Sequence, residues 1–591
     1  MEFNQSVITN KGRTLMAKLL SGRSTATFTK MVTSATVYQV NQLAELTSIT
    51  GARQTSTVQA KPNNGATVSV EAAFDNKGLA TGYDVNTVAL YATDPDEGEI
   101  LYAVTTAKEN GYMPADTGVS STGLVVRFYT EVGNASQVTM QVDSASYATK
   151  GDIKELQNNI ENLQGFVGYN DTDIYGVEVD MTNKTFKRLS GSVNRIPGAG
   201  FDTINAFGGR KRCILTDAGK VLAYYGETGY TETGALLTAI TKGTVTYPVG
   251  TKVQVMVEQP MFYYRVTPLT LDPIIDGKGY HLRKGRYYVS DKPKIGFKVH
   301  PAFIVNGQVK EKIYLSAFEG SIYDTSSNTY VLNDEQVADF SADLLSSIAG
   351  AKPASGLTQN LTRENLRKLS QKRGVGWQQA YAATIAATQL LFLIEYNTFN
   401  WQTALGQGAT QKTDDGTTNM SEQTGGSSTL GNKSGQVANL NGINIVSYRG
   451  EENFFGNIWK VVDGMNLIAN GVHALFIADH DFAEKVSTGT YKDAGFTVAK
   501  TNGFVSAFGY SSEFDWLFMT SENVGNGALP VGDYFGQTYT ATDDGGWRVV
   551  RLGGRWSDGA GAGGFGWIVY DWSAVRDRYI DGRLVYVGGI A

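Results

Sequence analysis

The chain has 591 residues and a net charge of −6, and only 18% of its residues are charged. This length accommodates roughly three or four domains. The basic residues are scattered, which argues against a nucleic-acid binder, so we expect no nucleic-acid partner. The single cysteine, Cys213, rules out an internal disulfide and a cysteine-rich zinc site. We therefore expect no metal and no other cofactor.

The first region, residues 1–146, predicts a β-rich domain that begins with one helix. Asn10 is positioned to cap this helix and Gly22 to end it, with leucines on one face between them. Apolar and polar residues then alternate, as is typical of half-buried strands. These runs are 68–72, 100–104 and 138–142.

A short connector, residues 147–168, carries the heptad pattern of a coiled coil. Its apolar residues are spaced three, four and three apart, and they are Ile153, Leu156, Ile160 and Leu163. An isolated helix of this length is only marginally stable in water, so we interpret this seam as the oligomerisation contact. A helix packed on its own domain remains the alternative, and two heptads do not decide between dimer and trimer.

Residues 169–350 predict a β-rich middle region, with strand-like runs at 252–257, 262–266 and 312–316. Residues 361–395 predict two helices divided by Gly374 and Gly376, and 408–442 predicts one long exposed loop. No stretch is apolar and long enough to span a membrane, and no signal peptide is evident, so we expect synthesis in the cytoplasm without membrane insertion. The predicted fold class is α+β, β-rich and multidomain.

All eight tryptophans lie at or after Trp377, and four of them fall between 547 and 572. Residues 553–567 are glycine-rich but lack the Lys-Ser/Thr of a phosphate loop. We expect Trp556 and Phe565 to be core residues. Tryptophan, tyrosine and arginine dominate binding hot spots, so an exposed contact set is predicted nearby. It comprises Trp567, Tyr570, Trp572, Arg576 and Arg578.

Three pairs of adjacent carboxylates, at 414–415, 451–452 and 543–544, raise the question of acid–base or calcium chemistry. Adjacent carboxylates cannot face each other across a glycosidic bond, so we interpret these pairs as turn and loop residues. Calcium binding by Asp543 or Asp544 remains an open alternative.

The segment 3–29, FNQSVITNKGRTLMAKLLSGRSTATFT, resembles the N-terminal domain of phage tail-collar and tail-fibre proteins. This resemblance implies that residues 1–146 attach the chain to a phage tail or baseplate. It also implies that the protein belongs to the virion, after synthesis in the host cytoplasm.

The middle region, with stretches such as GGRKRCILTDAGKVLAYYG, resembles phage tail proteins of the tropism-determinant kind. The C-terminal stretches resemble the C-type-lectin-like fold of formylglycine-generating enzymes and of the variable proteins of diversity-generating retroelements. These stretches are GVGWQQAYAATIAATQLLFLIEYNTFNWQTALGQG, SYRGEENFFGNIWKVVDGMN and RLGGRWSDGAGAGGFGWIVYDWSAVRDRYIDGRLVYV. The resemblance implies a lectin-like domain at 351–591 and a receptor-binding homotrimer.

The same resemblance divides the last segment into scaffold and contact positions. The implied scaffold positions are Gly553, Gly554, Trp556, Ala562, Gly563, Phe565, Ile580 and Arg583. The implied contact and variable positions are Arg555, Ser557, Asp558, Trp567, Tyr570, Asp571, Trp572, Arg576, Asp577 and Arg578. The final glycine of the family pattern is Asp581 in this chain.

The sequence and the resemblances together predict a virion receptor-binding protein whose C-terminal site grips a host-surface protein or glycan. Formylglycine-generating activity relies on cysteines, and Cys213 lies far upstream of the core motifs, so we expect no enzyme. Two alternatives remain: a tail-borne enzyme that degrades envelope polysaccharide, and a purely structural baseplate component.

Overall fold

The computed structural model describes residues 2–20, 27–64, 67–116, 122–131, 167–334, 338–525, 533–537 and 545–588. The chain divides into two compact units, Met1–Leu156 and Gln157–Ala591. Within the described part, no helix has both the length and the apolar character needed to cross a lipid bilayer. The predicted coiled-coil residues Ile153, Leu156, Ile160 and Leu163 lie outside the described residues, as do 138–142.

Among its described residues, the N-terminal unit has one α-helix, α1 (Asn10–Leu20), and two antiparallel sheets. Its strands are β1 (Val7–Ile8), β2 (Thr27–Ser34), β3 (Ala52–Thr57), β4 (Gln59–Asn64), β5 (Thr67–Asp75), β6 (Tyr83–Asp94), β7 (Gly98–Met113) and β8 (Gly123–Glu131). One sheet has the order β1-β7-β6-β2-β3 and the other β4-β5-β8.

The helix cap is shifted from its predicted position. The Thr9 hydroxyl accepts a hydrogen bond from the Gly12 amide at 3.0 Å, so Thr9, and not Asn10, caps α1. Leu15 and Leu19 are fully buried on the face that the sequence predicted. They join side chains from both sheets, including Phe28, Val70 and Phe128, in one apolar core.

The C-terminal unit has four short or medium α-helices among its described residues. They are α2 (Asn205–Gly208), α3 (Arg363–Gln371), α4 (Ala382–Tyr396) and α5 (Trp401–Leu405). Helices α3 and α4 confirm the prediction of two helices divided near Gly374 and Gly376. Helix α4 is buried over nearly its whole length, and Asn397 ends it in the left-handed conformation at φ 57°.

Short strands make up most of this unit's regular structure. Those before residue 350 are β9 (Ile174–Asp180), β10 (Thr185–Ser190), β11 (Lys211–Leu215), β12 (Val221–Tyr224), β13 (Ile240–Lys242), β14 (Val245–Tyr247), β15 (Gln254–Pro260), β16 (Tyr263–Pro273), β17 (Tyr280–Ser290), β18 (Lys298–Val299), β19 (Ile304–Val305), β20 (Gln308–Val309), β21 (Lys312–Ser316), β22 (Ser321–Asp324), β23 (Thr329–Val331) and β24 (Leu344–Ser346).

The strands after residue 350 are β25 (Trp377–Gln379), β26 (Gly435–Ala438), β27 (Asn444–Tyr448), β28 (Glu451–Glu452), β29 (Trp459–Ile468), β30 (Ala474–Ile477), β31 (Lys492–Thr497), β32 (Gly503–Tyr510), β33 (Thr520–Val524), β34 (Tyr534–Gly536), β35 (Trp547–Leu552), β36 (Trp567–Asp571), β37 (Ile580–Asp581) and β38 (Leu584–Tyr586).

The two largest sheets of this unit each contain strands from both sides of residue 350. In one, β17 pairs with β9 and with β32. In the other, β38 lies between β21 and β25, with the order β12-β11-β15-β21-β38-β25. The predicted division into 169–350 and 351–591 therefore does not separate two compact units, because long-range strand pairing joins them.

Buried ion pairs run through the C-terminal unit. Arg367 of α3 holds Asp463 through two hydrogen bonds, of 2.6 and 2.7 Å, and reaches Glu484 at 2.6 Å. The Arg449 guanidinium holds the Glu395 carboxylate in the same two-bond manner, at 2.6 and 2.7 Å. These side chains are at most 14% exposed, so the pairs sit where an unpaired charge is costly.

Candidate functional site

The segment 553–583 begins with a tight turn that places it across the large sheet. Gly553 and Gly554 adopt positive φ angles of 99° and 84°, which side chains other than glycine rarely adopt. A Cβ on Gly554 would lie 2.5 Å from the Cβ of Ala562. Trp556 and Phe565 are fully buried, as predicted, and so are Ile580 and Arg583.

Trp567, predicted as an exposed contact residue, is a core residue. Its side chain is 1% exposed, and its indole Nε1 donates to the Phe518 carbonyl at 2.8 Å. It lies in β36 between β34 and β35, and pairs with Phe535 and Leu552. The central position of this strand buries Trp567, which local sequence pattern does not reveal.

Three of the predicted contact residues are exposed. Tyr570 is 40% exposed and Trp572 is 49% exposed, and the Arg576 side chain also reaches solvent. Ser557 is half-buried on the turn. Asp577 is likewise half-buried, and its carboxylate accepts from the Arg578 amide at 2.7 Å.

A cavity of about 330 Å³ opens beside Tyr570. We call it the arginine–aromatic cavity, and its lining residues are Trp459, Phe504, Tyr534, Arg551, Arg555, Asp558, Gly561, Ile568, Tyr570 and Tyr579. Only Arg555, Asp558 and Tyr570 belong to the predicted contact set. Trp459, Phe504 and Tyr534 come from β29, β32 and β34, which only the sheet topology brings together, and Tyr579 directly precedes β37.

Arg551 forms the floor of this cavity. It is 2% exposed, and its Nε lies 2.6 Å from Asp571 Oδ2. Its guanidinium carbon lies 5.3 Å from the Trp459 ring centre and 5.6 Å from those of Tyr570 and Tyr579. Among the described residues its Nη1 has no hydrogen-bond partner. A ligand that offers an acceptor oxygen would satisfy this buried donor.

Arg555 forms one wall of the cavity. Its guanidinium carbon lies 4.1 Å from the Tyr579 ring centre, and its Nε lies 3.4 Å from Asp558 Oδ1. Burial raises the pKa of Asp558 and of Asp571 and opposes the effect of the neighbouring arginines. Burial, followed by a hydrogen bond to Asp577, raises the pKa of Tyr579 to about 12. Tyr579 thus keeps its hydroxyl proton at neutral pH.

Arg578 does not line the cavity. It makes a two-bond ion pair with Asp414, both bonds at 2.8 Å, and holds residues 408–442 against the glycine-rich turn. This hydrogen bonding to Arg578 places the pKa of Asp414 well below its usual range. Arg576 donates to the Gln359 carbonyl at 3.2 Å. These contacts give both arginines a role in positioning segments around the cavity.

Metal chemistry finds no support in the described residues. Among them, no group of three or more histidine, cysteine, aspartate or glutamate side chains is arranged to hold a metal ion. Asp543 and Asp544, the calcium alternative, lie outside the described residues.

Part of the chain matches a known protein family. Residues 1–151 match the family of phage tail-collar fibre protein N-terminal domains. The solved structure of a major tropism determinant, the P3c variant, is similar over 64% of this chain and 71% of that chain, at 9% identity and a TM-score of 0.23. No curated protein matches the sequence.

Proposed function

We propose that this protein is a virion tail fibre that attaches the phage tail to the host cell surface. The observation that carries the proposal is the match of residues 1–151 to a tail-collar fibre domain, in a chain whose second compact unit has an open, preformed cavity. The N-terminal unit binds the tail or baseplate, and the C-terminal unit binds a surface protein or glycan. The protein acts as an adhesin and not as an enzyme.

The arginine–aromatic cavity is the proposed centre of the receptor contact. Aromatic and arginine side chains offer rigid contact area, and Arg551 offers an unpaired donor within it. Tyr570, Trp572 and Arg576 extend the contact onto the exposed surface, with Ser557 at its edge. A C-type-lectin-like fold within the C-terminal unit remains part of the proposal.

Self-association through Ile153, Leu156, Ile160 and Leu163 is the second part of the proposal. A homotrimer would present three cavities to one cell surface, so each could bind weakly and the whole still adhere. The mass of the intact protein in solution tests the trimer directly, and a monomer would contradict it.

Adsorption of the labelled full-length protein to a panel of bacterial strains tests the attachment function. We expect adsorption to some strains only, and a loss of at least tenfold in the variant Tyr570→Ala. Tyr280→Ala is the matched control, because Tyr280 is 45% exposed in the same unit but lines neither this cavity nor any other described one.

The two alternative functions predict different results when the same protein is tested on the same strains. Release of reducing sugar ends from envelope polysaccharide would favour the enzyme. Absence of adsorption to every strain, with the protein present in purified virions, would favour the structural baseplate component.

A further inference from the structure

A second and larger concavity lies in the C-terminal unit, with a volume of about 870 Å³. We call it the polar trough. It is lined by Lys352, Lys412, Asp415, residues 418–426, Thr429 and residues 437–441. Most of these residues belong to the stretch predicted as one long exposed loop. In the structure, however, Asn419, Ser421 and Glu422 are at most 6% exposed. They hydrogen-bond to one another and to their neighbours.

Glu422 organises the floor of the trough. Its Oε1 accepts from Lys412 Nζ at 2.6 Å, and its Oε2 accepts from the side-chain amides of Asn439 and Asn441 at 2.7 and 2.8 Å. Burial alone would raise the pKa of Glu422, but Lys412 and the two amides lower it below its usual value. The floor is therefore a fixed array of charged and amide groups, held in place before any ligand arrives.

The rim of the trough adds groups that are free to bind. Gln423 and Thr429 are exposed and line the trough. Leu440 is fully exposed between Asn439 and Asn441. The lining combines charged and amide groups with the apolar side chains of Val437, Ala438 and Leu440, and so differs from a protein–protein interface, whose core is depleted of charged residues. It suits a ligand that presents many hydroxyl groups and small apolar faces.

The trough and the arginine–aromatic cavity are lined by chain segments that contact each other. Asp415 lines the trough, and the adjacent Asp414 carboxylate lies 3.4 Å from Arg555, which lines the cavity. On the trough side, the Lys412 amide donates to the Trp556 carbonyl at 2.7 Å. The two concavities therefore flank the same hydrogen-bonded pair of chain segments.

We infer that the trough and the cavity are two parts of one site that binds an extended surface polysaccharide. The inference rests on the proposed attachment function and names the ligand class. The trough hydrogen-bonds the hydroxyls of one stretch of the glycan, and the aromatic rings of the cavity pack against the C–H face of another. Arg551 supplies a donor to an acceptor oxygen of the sugar.

Selective treatment of the host cells separates glycan from protein receptors. Full-length protein is added to adsorbing cells after periodate oxidation, which cleaves vicinal diols, or after proteinase K digestion. We expect periodate to abolish adsorption and proteinase K to leave it unchanged. The reverse pattern would overturn the glycan inference and leave the attachment function standing. Failure to adsorb to any untreated strain would overturn both.

Variants of the rim test the trough itself. The double variant Gln423→Ala/Leu440→Ser changes two exposed side chains, so we expect it to fold normally and to bind purified polysaccharide from an adsorbing strain at least tenfold more weakly. Gln308→Ala, at an exposed position outside both concavities, is the control and should bind normally. Unchanged binding by the double variant would overturn the role of the trough. If Tyr570→Ala left binding of the same polysaccharide unchanged, the two concavities would not form one site.

Discussion

Each of the two units is stabilised internally by a different set of interactions. The core of the N-terminal unit is apolar, and each of its described ion pairs has a partly exposed basic side chain, as in Lys30 with Glu99 and in Lys18 with the buried Asp94. The C-terminal unit has an apolar core too, but it also buries arginine–carboxylate pairs that tie distant segments to each other. In the C-terminal unit, buried ion pairs therefore fix helices α3 and α4 against segments that are distant in the sequence.

The largest effect should come from breaking a buried pair in the C-terminal unit. In Arg367→Leu, Asp463 loses both of its hydrogen bonds to arginine and keeps only a 3.9 Å contact with Arg363, so we expect a loss of about 3–5 kcal/mol in the free energy of unfolding. Since all eight tryptophans lie in this unit, tryptophan fluorescence during urea unfolding reports its stability. A loss below about 1 kcal/mol, the value typical of an exposed pair, would contradict the contrast between the units.

Comparing Trp567→Ala with Trp572→Ala tests whether Trp567 is a core residue and Trp572 a surface residue. Removal of the buried Trp567 should cost about 3–5 kcal/mol, at or just below the effect of Arg367→Leu. Removal of the half-exposed Trp572 should cost under about 1 kcal/mol. Urea unfolding monitored by circular dichroism measures both. Equal losses in the two variants would place Trp567 outside the core.

Asp581 offers a smaller, pH-dependent effect. Burial raises its pKa well above the usual value, and nearby Glu319 adds to the shift. A group whose pKa is raised by folding stabilises the protein below its unfolded pKa, about 3.9, and this contribution is lost as pH rises. Asparagine does not ionise, so Asp581→Asn does not lose stability as the pH rises. The melting temperature of this variant should exceed that of the wild type by an amount that grows from pH 4 upward. A constant difference in melting temperature across this range would show that folding does not change the pKa of Asp581.

The smallest effect is expected in the N-terminal unit. Arg127 pairs with Glu71 on the surface, where the arginine side chain is 48% exposed. Because water screens such pairs, Arg127→Ala should cost at most about 1 kcal/mol. Scanning calorimetry of the full-length protein checks this, with Arg367→Leu as the reference for a buried pair.

Local patterns in the sequence predicted local structure well. The amphipathic run 10–20, the two helices on either side of Gly374 and Gly376, and the strand Lys312–Ser316 all appear where expected. Each depends on spacing within a few residues, which the sequence displays directly.

The features that depend on distant pairing were not predictable. Trp567 was predicted as a contact residue because it lies at the end of a glycine-rich run and tryptophan is common in binding hot spots, but β34 and β35, from elsewhere in the chain, cover it. Trp459, Phe504 and Arg551 of the cavity lie on separate strands, so no motif unites them. The composition of 408–442 suggested solvent exposure throughout, but Asn419, Ser421 and Glu422 within it are buried and hydrogen-bonded.

The position of β38 has a consequence for how the C-terminal unit is made. Tyr586 pairs with Tyr314 on one side and with Trp377 on the other, so an inner strand of this sheet is translated long after its neighbours. Until residue 586 leaves the ribosome, β21 and β25 each expose an unpaired edge, and such edges invite pairing with the wrong chain. Chains interrupted before this strand cannot complete the sheet. This sheet is therefore complete only in chains translated through residue 586.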